Sequence, residues 1–128
     1  MARILVVDDD PSVRALLRDV LELEGHTVAE AVDGYAALRA VAAERPDCVV
    51  LDVIMPGMDG HEVLTRLRAT AGGRELPVVM LTAAADDDTA WRGWSGGADR
   101  VLGKPFDADD LLHHLDRLCA VESSRGRR

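Results

Sequence analysis

Short runs of unbroken apolar residues, each ending in a polar one, set the tightest limit on how this chain folds. Ile4–Val7 runs into Asp8-Asp9-Asp10, Val49–Leu51 into Asp52, and Pro77–Leu81 into Thr82. Runs of that length, rich in β-branched residues and without alternation, are strands buried on both faces, as in parallel sheets. Pro56-Gly57 and Asp59-Gly60 stop the strand that ends at Asp52 and start a turn. Asp52 is therefore placed at the carboxyl end of a central strand, beside a loop. Thr27–Ala31 and Arg100–Gly103 supply two further strands, the second ending at Lys104-Pro105.

Helical patterns fill the spaces between. Asp10 is placed as N-cap and Pro11 at the first helical position. Val13, Leu16, Leu17, Val20, Leu21 and Leu23 then form an apolar stripe that Gly25 closes. Asp33-Gly34 turns into a second helix carrying Ala37, Leu38 and Val41, which ends before Pro46. Gly60 begins a third with Val63, Leu64 and Leu67 inward, followed by a loose Ala71-Gly72-Gly73 linker. A fourth helix is predicted over roughly Asp86–Trp94, shortened by Gly93, Gly96 and Gly97. Asp107 caps the last helix, with Leu111, Leu112, Leu115 and Leu118 in register. Five strands alternating with five helices define an α/β fold, a doubly wound five-stranded parallel sheet with right-handed crossovers.

A chain of 128 residues is one domain with a real core. Residues 1–121 are expected to form it, with 122–128 a disordered tail or the start of a linker. A formal charge of −8 argues against direct contact with nucleic acid or an anionic membrane. Cys48 and Cys119 lie in apolar surroundings without metal-ligand spacing, which suits buried free thiols in a reducing compartment. No run has signal-peptide or transmembrane character, so a cytoplasmic location is expected.

The chemistry gathers at the strand ends. Asp8 and Asp9, Asp52, Thr82 and Lys104 all fall at one edge of such a sheet, where ligands bind. Three carboxylates within about 5 Å repel by roughly 3 kcal/mol per pair at an effective dielectric near 20. One lysine offsets only part of that, and Mg²⁺ with oxygen ligands is the natural remedy. A carboxylate nucleophile, a divalent cation, a hydroxyl and a lysine together suit acceptance of a phosphoryl group. Each residue also has a plainer reading. Asp10 caps its helix, Thr82 can bond backbone, and most strand-end lysines are surface charges.

Asp8-Asp9 after the first strand, Asp52 followed by Met55-Pro56-Gly57-Met58-Asp59-Gly60, Thr82-Ala83 and Lys104-Pro105-Phe106 resemble the receiver domain of two-component response regulators. The likeness covers about residues 3–121 and implies a flavodoxin-like receiver fold. It implies that Asp52 is the phosphoacceptor, served by a sensor histidine kinase or phosphotransfer protein. Asp9, Asp52 and the backbone carbonyl of Ile54 would ligate Mg²⁺, with Asp8 acting through water. Thr82 and Lys104 would each bond a phosphoryl oxygen, Ala83 would leave room for the phosphate, and a cis Lys104–Pro105 peptide would aim the lysine. The face made by the fourth helix, fifth strand and fifth helix would then change shape and bind a downstream protein or a second copy.

Val101 stands where many receivers carry Tyr or Phe, so the usual aromatic relay is not expected. Trp91 and Trp94 on the fourth helix are either core residues or an aromatic anchor for a partner. In the family, the residues two beyond the acceptor and two beyond the threonine flank the path of the hydrolytic water. Here they are Ile54 and Ala84, which cannot orient it, so the phosphorylated form is expected to last.

The competing readings are a phosphorylation-independent receiver-like binding module, a Mg²⁺-dependent hydrolase and a flavodoxin-like cofactor binder. The first normally lacks a site residue, and none is lacking here. Aspartyl phosphatases carry a second acid two residues on, where this chain has Ile54. The last would need a Ser/Thr-rich phosphate loop after the first strand. A switching module that is not a turnover enzyme is the preferred reading, either as a stand-alone receiver or as part of a longer regulator.

Overall fold

The computed structural model describes residues 2–70, 72–82, 97–104 and 106–126, with backbone alone for 119–126. Five parallel strands form one sheet: β1 (Arg3–Val7), β2 (Thr27–Ala31), β3 (Cys48–Asp52), β4 (Val78–Thr82) and β5 (Arg100–Gly103), in the order β2-β1-β3-β4-β5. β3 is fully buried along its length, as its unbroken apolar run requires. Alternation sorts the side chains between two layers. Leu5, Val7, Val49, Leu51, Val78 and Met80 face one core with helices α2 (Gly34–Ala43) and α3 (Gly60–Ala69). Ile4, Val6, Cys48, Val50, Val79 and Leu81 face the other, with α1 (Pro11–Leu23) and α4 (Ala108–Gly126).

Local signals start the helices. The Asp10 carboxylate accepts from Ser12 N–H, Asp33 from Ala36, Asp59 from Glu62 and Asp107 from Asp110. Cys48 is buried and outside any disulfide, its Sγ 3.8 Å from the Val49 carbonyl. The predicted helix over 86–94, together with Ala83, Ala84, Trp91, Trp94 and Pro105, lies outside the described residues.

Two local expectations change. On α1, Leu17 and Leu21 are buried, but Leu16 is 52% and Leu23 86% exposed. The i, i+4 row through residue 17 meets the sheet, and these two sit off it. Of the expected loose Ala71-Gly72-Gly73 linker, Ala71 lies outside the described residues, and Gly73 opens a tight 3-10 turn, Gly73–Glu75. A Cβ on Gly73 would run into the Leu67 carbonyl, so only glycine lets the chain pass so close to the end of α3. Arg68 closes the turn: its guanidinium donates to the carbonyls of Gly73, Leu76 and Gly97, and pairs with Asp99.

Candidate functional site

The strand order reverses between β1 and β3, so the cleft beyond their carboxyl ends is flanked by the residues that end these two strands. Asp8 follows β1 and is almost wholly buried, and its backbone N–H donates to Ala31. Its carboxylate accepts from Asp10 N–H at 2.9 Å and from Lys104 Nζ at 2.9 Å. Asp9, the next residue, is exposed. Asp52 closes β3 and is 5% exposed. Lys104 Nζ reaches its Oδ1 at 3.1 Å and so bridges two buried carboxylates. The lysine is aimed from the end of β5, where its own N–H donates to the Thr82 carbonyl at 2.8 Å. Thr82 closes β4, fully buried, paired in register with Gly103. Ile54 lies two residues beyond Asp52, with its side chain 59% exposed.

One carboxylate oxygen from each of Asp8, Asp9 and Asp52 lies within 4.8 Å of the others. Three acids against one lysine leave the cluster with a net charge of about −2. Burial raises the Asp52 pKa above its ordinary value, and the charges of Asp8 and Asp9 push the same way against the Lys104 bond. Burial alone would lower the Lys104 pKa, but its bonds to Asp8 and Asp52 outweigh that and raise it. An oxygen-only set of this spacing and negative charge fits a hard divalent cation.

Asp8, Asp9, Asp52, Thr82 and Lys104 thus come together at one edge, while Ala83, Ala84 and the Lys104–Pro105 peptide lie outside the described residues. Two supports carried no signal in the sequence. Arg14 donates to the Asp8 backbone carbonyl at 2.8 Å while its Nε holds Glu30 at 3.0 Å, which ties α1 and β2 to the acid. Gly60 packs so closely on the Asp52 carbonyl and Val53 that a Cβ would collide with both. Its N–H donates to Val53 at 2.8 Å, seating the start of α3 on the strand end. The Asp-Gly pair marked a turn but not that contact.

A five-stranded parallel sheet with an acid cluster and a lysine at its switch point defines a receiver-type signalling module. The profile of the response regulator receiver domain matches residues 4–116, and the chain belongs to that family. Response regulator MprA of Mycobacterium ulcerans is 47% identical over 116 residues, which is 91% of this chain and 49% of that protein. The chain spans about half the length of the curated relatives it matches. Among solved structures it is similar to Vibrio cholerae chemotaxis protein CheY4, with TM-score 0.87 and 35% identity, covering 92% of this chain and 98% of that one. The receiver domain of Francisella response regulator 1452 gives TM-score 0.87 and 30% identity, covering 94% and 98%. Among the described residues, no helix is long and apolar enough to cross a membrane.

Proposed function

We propose that Asp52 accepts a phosphoryl group from a phosphohistidine on a sensor histidine kinase or phosphotransfer protein. The observation that carries this is a buried carboxylate at a strand end, beside two more acids, with one oxygen held by Lys104. The other Asp52 oxygen attacks phosphorus, the P–N bond breaks, and the imidazole leaves. A raised pKa makes that oxygen more basic and a better nucleophile. Asp9, Asp52 and the Ile54 carbonyl would hold Mg²⁺, with Asp8 acting through water. Bound there, Mg²⁺ supplies charge neutralisation for the phosphoryl oxygens. Lys104 pairs with one phosphoryl oxygen and the Thr82 hydroxyl bonds another.

The module switches rather than turning over a substrate, and works in the cytoplasm. Its output is a changed surface around β5, α4 and the segment before β5, read by a protein partner or a second copy. Acetyl phosphate with Mg²⁺ is expected to give a single hydroxylamine-labile adduct, absent from Asp52→Asn. An adduct of equal yield on the variant would refute the assignment.

A further inference from the structure

The β1–β2 ladder ends at Val7 and Ala31, and the Asp8 N–H still donates to the Ala31 carbonyl. β2 stops there, and the chain turns through Val32 and Asp33 into α2. The Asp8 carbonyl, part-buried and past the end of the ladder, takes a side-chain donor instead, Arg14 Nη1 at 2.8 Å. That carbonyl belongs to the peptide unit joining Asp8 to Asp9, whose planarity carries both Cα atoms with it. Holding its oxygen therefore sets the direction in which Asp9 leaves the chain. Asp8 is also held through its carboxylate, by Asp10 N–H and Lys104. Asp9 is exposed, so its aim rests on the backbone that bears it.

Arg14 is itself anchored. Its Nε donates to Glu30 Oε1 at 3.0 Å, and Arg18 Nε donates to Oε2 of the same carboxylate at 2.7 Å. One carboxylate on β2 thus fixes two guanidinium groups, one turn apart on α1. The Arg18 bond holds the Glu30 pKa below its ordinary value, and the Arg14 bond adds to it against burial, so Glu30 is ionised at neutral pH. Arg18 goes on to Glu22 at 3.1 Å. Two arginines and two glutamates leave this series of pairs without net charge. Side-chain exposure falls from 48% at Glu22 to 15% at Arg14, so the outer pair contributes little and the inner one is shielded from water. A planar guanidinium suits the inner place, because its fork reaches a carbonyl and a carboxylate at once in a fixed geometry.

We propose that Arg14 is a positioning residue for the metal site. Anchored by Glu30, it locks the Asp8–Asp9 peptide so that the Asp9 carboxylate converges with those of Asp8 and Asp52. This rests on the reading of Asp9 as a Mg²⁺ ligand. Titration calorimetry with magnesium chloride on wild type, Asp9→Ala, Arg14→Met and Arg14→Lys tests it, with the fold followed by circular dichroism. Arg14→Met keeps the aliphatic stem and loses the donors, and should bind Mg²⁺ about tenfold more weakly than wild type. Charge alone predicts the opposite sign, since taking a cation from beside three acids would tighten Mg²⁺. Arg14→Lys keeps a donor for the Asp8 carbonyl and should bind at least threefold more tightly than Arg14→Met. With acetyl phosphate, the Mg²⁺ concentration for half-maximal phosphorylation of Arg14→Met should rise by the same tenfold, while the rate at saturating Mg²⁺ falls less. A purely structural role would lower the melting temperature and leave that concentration unmoved. Wild type that binds Mg²⁺ through Asp9, with Arg14→Met as tight or tighter, or with Arg14→Lys no better than Arg14→Met, overturns the proposal alone. Wild type without saturable heat, or Asp9→Ala binding as tightly as wild type, removes the Mg²⁺ reading and the proposal with it.

Discussion

Asp52 is held ionised at a cost, because burial and two neighbouring acids oppose its charge more than Lys104 supports it. A carboxyl whose folded pKa is raised stabilises the fold below its ordinary value near 4 and loses that stability as pH rises through the folded value. Metal-free Asp52→Asn should therefore be more stable than wild type at pH 7, seen as a higher Tm. Urea melts in EDTA between pH 4 and 8 should show the variant's advantage growing as pH rises, with a flatter profile for the variant. A variant less stable at pH 7 would mean the lysine bond wins. Lys104 shifts in the same direction, with its window at alkaline pH. Its raised pKa lends stability below its ordinary value of 10.5 that is lost as pH climbs past the folded one. Persistence of the phosphorylated form is also set by single residues. Ile54 presents an exposed aliphatic side chain that cannot orient water, so Ile54→Asn with Ala84→Glu should speed loss of the adduct by about tenfold or more. Phosphate release as slow in the double variant as in wild type counts against this.

At the scale of elements, Arg68 makes α3, the 3-10 turn, β4 and the start of β5 one unit. Asp99 accepts from Val78 N–H at 2.7 Å and from Arg68, while the guanidinium holds three carbonyls. Removing it takes the guanidinium donors from the Gly73, Leu76 and Gly97 carbonyls, the first two in a partly buried place, and the cation from Asp99. Arg68→Ala should cost about 3 kcal/mol, roughly 10 °C in Tm. Arg68→Lys should recover less than half of that, because one ammonium cannot fork across separate acceptors. Calorimetry separates the cases, and a loss within 1 °C for Arg68→Ala would make the clamp energetically idle.

At the scale of the molecule, the acid cluster couples folding to cation binding. Anything that binds the folded cluster alone stabilises by mass action, about 1.4 kcal/mol at ten times its Kd. Mg²⁺ should raise the wild-type Tm in a saturable way. In Asp9→Ala the same titration should need a much higher concentration, since one of the three converging oxygens is gone. Equal midpoints in the two proteins would place the ion elsewhere.

Much of this was legible in the chain because it is local. Unbroken apolar runs demand strands buried on both faces, and Asp10, Asp33, Asp59 and Asp107 cap helices through bonds to backbone two or three residues away. Strand-end positions for Asp8, Asp52, Thr82 and Lys104 follow from those same runs. Tertiary structure decided what depends on distant partners. Lys104 meets Asp8 across 96 residues and Asp52 across 52, and Arg68 reaches Gly97 across 29. Leu16 and Leu17 are equally apolar neighbours, and only the angle at which α1 settles on the sheet buries one and exposes the other. A helix periodicity names a stripe, but the sheet it packs against selects the row.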